Sequence, residues 1–133
     1  MADYPTRTNI IMATLYVVGT PIGNLEDITL RALRVLKEVD VILCEDTRVT
    51  RRLLDRYGII TAVESYPADF PKSGSGVSQV SKVHKVIKLL EEGKNLALVS
   101  DAGTPGISDP GSYLVEQIRK SLPEVKIESV PGP

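Results

Sequence analysis

The sequence predicts an α/β domain: a mostly parallel, open sheet of about five strands with helices on both faces. Three observations carry this prediction. Short apolar runs such as Leu15 to Gly19 are continuous rather than alternating, as in strands buried on both faces. Segments with helical spacing of apolar residues separate them. Gly- and Pro-rich loops follow two of the runs, at Gly19-Thr20-Pro21-Ile22-Gly23-Asn24 and Asp101-Ala102-Gly103-Thr104-Pro105-Gly106. Strand–helix alternation of this kind implies parallel strands joined by crossovers.

Taken in order, Leu15 to Gly19 is the first strand. Asp27 can cap a helix that carries Leu30, Leu33 and Leu36 at helical spacing. Asp40 to Cys44 is the second strand. Thr47 to Tyr57 reads as a helix capped by Asp46 or Thr47, with Gly58 suited to its C-terminal stop. Ala62 to Tyr66 is a short strand, and Pro67 to Gly76 is a mobile loop of Pro, Gly, Ser and Lys. Val80, Val83, Ile87 and Leu90 mark one face of a helix that ends near Gly93. Asn95 to Ser100 is a central strand. Asp109-Pro110 starts the last helix, with Asp as N-cap and Pro at the first helical position, and Leu114, Ile118 and Leu122 face the core. Val125 to Val130 closes the series.

The chain has 133 residues, 42% of them hydrophobic, which suits one ordinary domain with a real core. Residues 1–13 read as an N-terminal tail, 14–130 as the α/β domain, and Pro131-Gly132-Pro133 as the start of a linker to a missing second domain. The 16 basic and 17 acidic residues nearly cancel, so nucleic acid is neither demanded nor excluded; a local basic patch is enough to bind it. The single cysteine, Cys44, rules out an internal disulfide and a Cys-rich zinc site, and its apolar neighbours suggest a buried, inert thiol. No metal site is expected. No apolar stretch approaches the ~20 residues of a membrane span, and no signal-peptide pattern is seen, so a cytoplasmic location is expected.

The loops carry the chemistry. Ligands of an open parallel sheet bind outside the carboxyl ends of its strands, so two special loops at two such ends suggest one shared pocket. The first loop is not a phosphate cradle: Asn24 stands where a P-loop has lysine, and Pro21 has no amide proton to donate. It allows close backbone approach to a flat or uncharged ligand, or is simply a strand-to-helix turn. The second loop, Ser100 to Gly111, is longer and more polar than a connection needs. Asp101 could accept from a ligand amine or hydroxyl, or bond within its own turn.

A third segment, Glu45-Asp46-Thr47-Arg48-Val49-Thr50-Arg51-Arg52, also follows a strand. Glu45 lies right at the strand end. Arg48 and Arg52 share a helix face, which would suit a phosphate backbone. Arg51 and Arg56 read as solvated charges, as do Lys82, Lys85 and Lys88. His84, the only histidine, has no partner in sequence that would make it a ligand or base.

Three stretches, Leu15 to Thr29, Glu45-Asp46-Thr47-Arg48 and Ser100 to Gly111, resemble the small-subunit ribosomal RNA cytidine 2′-O-methyltransferase branch of the tetrapyrrole methylase superfamily. The resemblance covers nearly all of residues 14–133. It implies a two-domain, homodimeric enzyme that binds S-adenosylmethionine between its domains and acts on small-subunit ribosomal RNA. Carried over by position, Pro21, Ile22 and Gly23 of the first loop and Asp101, Ala102, Gly103 and Thr104 of the second would line the cofactor cleft. Relatives carry a His-Asn-containing stretch after the corresponding Ser-Tyr; here Ser65-Tyr66 is followed by Pro67-Ala68-Asp69-Phe70. Within this frame Glu45 is the candidate general base for the ribose hydroxyl, and Arg48 the residue that positions a neighbouring phosphate. Two other readings remain open: a tetrapyrrole methyltransferase, and a non-catalytic α/β module that binds RNA.

Overall fold

The apolar runs become strands because their residues satisfy both faces of one sheet. The computed structural model describes residues 13–21, 24–66, 76–100 and 109–132, with 76–80 and 109–112 described by backbone alone. Among these residues lie five strands, β1 (Thr14–Gly19), β2 (Val41–Cys44), β3 (Ala62–Ser65), β4 (Leu96–Ser100) and β5 (Lys126–Val130). Four α-helices alternate with them: α1 (Leu30–Glu38), α2 (Thr47–Arg56), α3 (Gly76–Glu91) and α4 (Asp109–Ser121). The strand order is β3-β2-β4-β1-β5, and every pairing is parallel.

Side chains alternate across the strands with period two and feed two cores. Leu15, Val17, Val41, Leu43, Leu96 and Leu98 point to one face, where they meet Val83, Val86 and Leu90 of α3, Leu114 and Ile118 of α4, and Leu122 just past its end. Val18, Ile42, Cys44, Ala97, Val99 and Val130 point to the other, against Ala32, Val35 and Leu36 of α1 and Leu53 and Leu54 of α2. Cys44 is buried, as its neighbours suggested.

The helix ends follow local chemistry. Asp46 caps α2, its carboxylate accepting from the amides of Arg48 and Val49. Gly58 and Gly93 take φ of +68° and +86° just past α2 and α3, the left-handed stop that glycine makes cheaply. The entry to α1 differs from expectation. Asn24, not Asp27, caps a 3₁₀ turn over Leu25–Asp27, and Thr29 then caps α1 by accepting from the Ala32 amide. At 3.6 residues per turn Ala32, Val35, Leu36 and Val39 share one face, which is buried, and Leu30 lies across the helix from it, 82% exposed. In α3 the deeply buried position is Val86 rather than Ile87, which is half-buried.

Two details fix the edges. Lys85 pairs with Glu64 at 2.6 Å and the Lys82 ammonium donates to the Ser65 carbonyl at 3.3 Å, so two of the three lysines expected to be solvated tie α3 to β3. At the amino ends of the central strands, Asn95 acts as a bracket. Its side-chain oxygen accepts from the Thr14 amide at 2.9 Å, its own amide donates to the Asp40 carboxylate at 2.8 Å, and its carbonyl accepts from the Asp40 amide at 2.8 Å. The loop expected over Pro67 to Gly76 lies outside the described residues except for Gly76, which opens α3; the capping role of Asp109 also lies outside them.

Candidate functional site

Strand register brings the functional segments to one rim. Gly19 pairs with Ser100, so the chain leaves β1 and β4 side by side. Thr20 is pinned at that point: its amide and its hydroxyl both donate to the Ser100 carbonyl, at 2.9 and 3.0 Å. Thr20 is buried although polar, and Pro21 follows it half-buried. Val18 pairs with Val130, which places Pro131 beside the same exit. Leu43 pairs with Leu98, which places Glu45 at the rim on the other side of β4, roughly 10 Å from the β1 exit at the usual strand spacing.

The exits diverge. The connections from β1 and β2 run to α1 and α2 on one face, whereas those from β3 and β4 run to α3 and α4 on the other. β4 thus leaves to the face opposite both of its neighbours. A parallel sheet opens a crevice at such a switch point, and ligands of this fold class bind there. Of the expected cofactor residues, Pro21 follows Thr20 at the β1 exit, beside the end of β4. Ile22, Gly23, Asp101, Ala102, Gly103 and Thr104 lie outside the described residues; the second loop is entered from Ser100, at the end of β4.

Glu45 and Arg48 occupy the next stretch of rim. Glu45 is exposed. Arg48 is 90% exposed on its side chain and only grazes its own capping Asp46 at 3.8 Å. Beside them an open groove of about 650 Å³ runs along α2, lined by Thr47, Arg48, Arg51, Arg52, Asp55 and Val63. Arg48 and Arg52 share this groove, as their spacing required. Arg51 lines the groove as well and is exposed, in keeping with its reading as a solvated charge. Arg56 instead binds Glu26 at 2.9 Å. His84 is exposed. Among the described residues no cluster of His, Cys, Asp or Glu could hold a metal ion, and no helix is long and apolar enough to cross a membrane.

Two positioning contacts were not legible from motifs. The Tyr57 hydroxyl donates to the Leu25 carbonyl at 2.8 Å, and with the Arg56–Glu26 pair it ties the end of α2 to the turn that follows the first loop. Thr61 donates to the Leu36 carbonyl at 2.7 Å and joins the approach to β3 with α1. On β5, the guanidinium of Arg31 and then Lys126 hold the Glu128 carboxyl below the usual carboxylate range.

A five-stranded parallel sheet with helices on both faces, and a charged groove beside its carboxyl rim, defines an open α/β domain. Residues 14–133 match the family of tetrapyrrole (corrin/porphyrin) methylases, and the chain belongs to that family. It is 50% identical over 122 residues to the ribosomal RNA small subunit methyltransferase I of Thermotoga maritima, covering 92% of this chain and 50% of that protein. To the protein of the same name in Mycoplasmopsis pulmonis it is 46% identical over 121 residues, again 91% of this chain and 50% of the relative. The chain therefore spans about half the length of these relatives. Among solved structures, uroporphyrin-III-C-methyltransferase from Thermus thermophilus superposes with a TM-score of 0.65 at 24% identity, over 90% of this chain and 47% of that one. A cobalt precorrin-4 methyltransferase gives the same TM-score, 0.65, at 24% identity over 90% and 45%. These structures share the fold.

Proposed function

We propose that this chain is the N-terminal half of an S-adenosylmethionine-dependent enzyme that methylates the 2′-oxygen of a cytidine ribose in small-subunit ribosomal RNA. The observation that carries the reading is that β1 and β4 end side by side at Gly19 and Ser100 and are followed by helices on opposite faces of the sheet, the arrangement at which this fold class binds ligands. Identity near one half with proteins named as small-subunit ribosomal RNA methyltransferases supports the substrate. In this reading residues 14–130 form the methylase domain and 131–133 lead into a second domain that closes the cleft. Homodimerisation of the full-length protein and a cytoplasmic location belong to the same proposal.

The described rim suits the cofactor chemically. Thr20, Pro21, Ser100 and Pro131 are all uncharged, which fits a nucleoside without phosphates. Pro21, Ile22 and Gly23 would hold it from the β1 side, and Asp101, Ala102, Gly103 and Thr104 from the β4 side. When bound, S-adenosylmethionine supplies an electrophilic methyl group on sulfur. The protein's main contribution is alignment of the ribose oxygen with that methyl. Glu45 would take the hydroxyl proton as the oxygen becomes nucleophilic, and Arg48 would hold a neighbouring phosphate.

The test is methyl transfer by the full-length protein from labelled cofactor to small ribosomal subunits, with the product nucleoside identified. Methylated ribose on cytidine is the expected result; transfer to a porphyrinogen instead would place the protein with the tetrapyrrole enzymes of its family. Residues 1–133 alone should bind cofactor weakly and transfer little, because half a cleft supplies half the burial. Robust transfer by that fragment would sink this division of the site.

A further inference from the structure

Among the described residues, Arg31, Arg56, Lys85, Lys120 and Lys126 are each paired with a carboxylate, while Arg34, Lys37, Lys88, Lys94 and Arg119 stand in no ion pair at scattered places. Three further arginines differ in standing together. Arg51 and Arg52 make no ion pair or side-chain hydrogen bond among the described residues, and Arg48 has only its 3.8 Å contact with Asp46. All three line one groove with a single carboxylate, Asp55. Three like charges on adjacent turns repel one another, a cost that an anion in the groove removes. The groove follows α2 from Thr47, at the rim end of the helix, to Asp55. Arg48 to Asp55 is about 10 Å of helix rise, room for more than one phosphate of a single strand. Val63 supplies an apolar wall from the edge strand β3.

We propose that this groove, through Arg51 and Arg52, is a track for the sugar–phosphate backbone of single-stranded RNA leading away from the target nucleotide. The proposal rests on the RNA-substrate reading above and extends it from one phosphate at Arg48 to a surface. Guanidinium groups suit it because their planar fork matches phosphate oxygens. Their contribution is to affinity and orientation and carries no base preference.

The test is binding of a fluorescein-labelled single-stranded RNA oligonucleotide to the full-length protein, followed by anisotropy across a salt series. Wild type is expected to lose affinity linearly in log salt, and Arg51→Gln with Arg52→Gln to flatten that slope by about 1.4, at ~0.7 per phosphate contact on a single strand. Arg51→Lys with Arg52→Lys should keep the slope, and Lys120→Ala, on α4, should leave it unchanged. Calorimetry with S-adenosylmethionine should give the same affinity for all variants. An unchanged slope in the double Gln variant, or no RNA binding by wild type, overturns the track. Displacement of the RNA by uroporphyrin, lost in the double Gln variant, would assign the groove to a polycarboxylate and overturn it too. Absence of methyl transfer by wild type, with the slope still sensitive to Arg51 and Arg52, would overturn the enzymatic reading and leave the groove standing.

Discussion

Glu45 stands at the rim with its side chain in solvent, so its proposed role is chemical rather than structural. Glu45→Gln in the full-length enzyme should lower turnover by about 10²-fold or more, the usual worth of a positioned base, with cofactor affinity by calorimetry unchanged. Capping residues make the opposite case, since they act on stability alone. Thr29→Ala should cost about 1 kcal/mol in urea unfolding, because the Ala32 amide loses its acceptor, whereas Asp27→Ala should stay within about 0.5 kcal/mol. The same region shows one failure of sequence reading. Leu30, Leu33 and Leu36 fit a helical spacing, but at 3.6 residues per turn Leu30 lies across the helix from the face that Ala32, Val35, Leu36 and Val39 share. Glu128 provides a pH handle. Its carboxyl is held below the ordinary range, so the ionised form is favoured by folding. The Arg31 and Lys126 contacts should therefore stabilise the fold above the usual carboxylate range, and that contribution should fade as pH falls through the lowered value. Thermal unfolding of wild type and Glu128→Gln across an acid series should converge at the low end.

Among the elements, α2 links two regions. Its first turns present Arg48, Arg51 and Arg52 to the groove, and its far end holds the turn after the first loop through Tyr57 and Arg56. Tyr57→Phe removes one hydrogen bond, worth about 0.5–1.5 kcal/mol. We expect a small drop in thermal stability and a larger fractional drop in cofactor affinity, measured by calorimetry on the full-length protein; equal affinity would separate this tether from the cleft. Elements of this kind were legible in outline. Among the described residues every strand and α-helix was foreseen within a few residues, because continuous apolar runs and helical spacing are local signals; the 3₁₀ turn over Leu25–Asp27 was not. The last helix was read correctly down to Leu114, Ile118 and Leu122, all buried. What escaped was tertiary: the contacts of Lys82 and Lys85 with β3, and the Tyr57 tether. Each depends on which segment packs opposite, and no spacing within one helix encodes that.

For the whole molecule, the strand order decides where chemistry can occur. The β4–β1 adjacency, far apart in sequence, came from the fold class rather than from any single motif. It put the two loop entrances side by side, as the paired loops had implied. The other end of the sheet has a different task, and Asn95 performs it by holding the starts of β1 and β2 to that of β4. Asn95→Ala should leave the Thr14 amide without its acceptor and cost about 1–3 kcal/mol in chemical denaturation. Alignment is thereby anchored at the end of the sheet opposite the β1 and β4 exits. A lineage can rewrite the mouth of such a domain, lengthening one lip or recharging another, without letting the ribbons slip past one another. Shared architecture with tetrapyrrole enzymes at 24% identity is what such an arrangement permits.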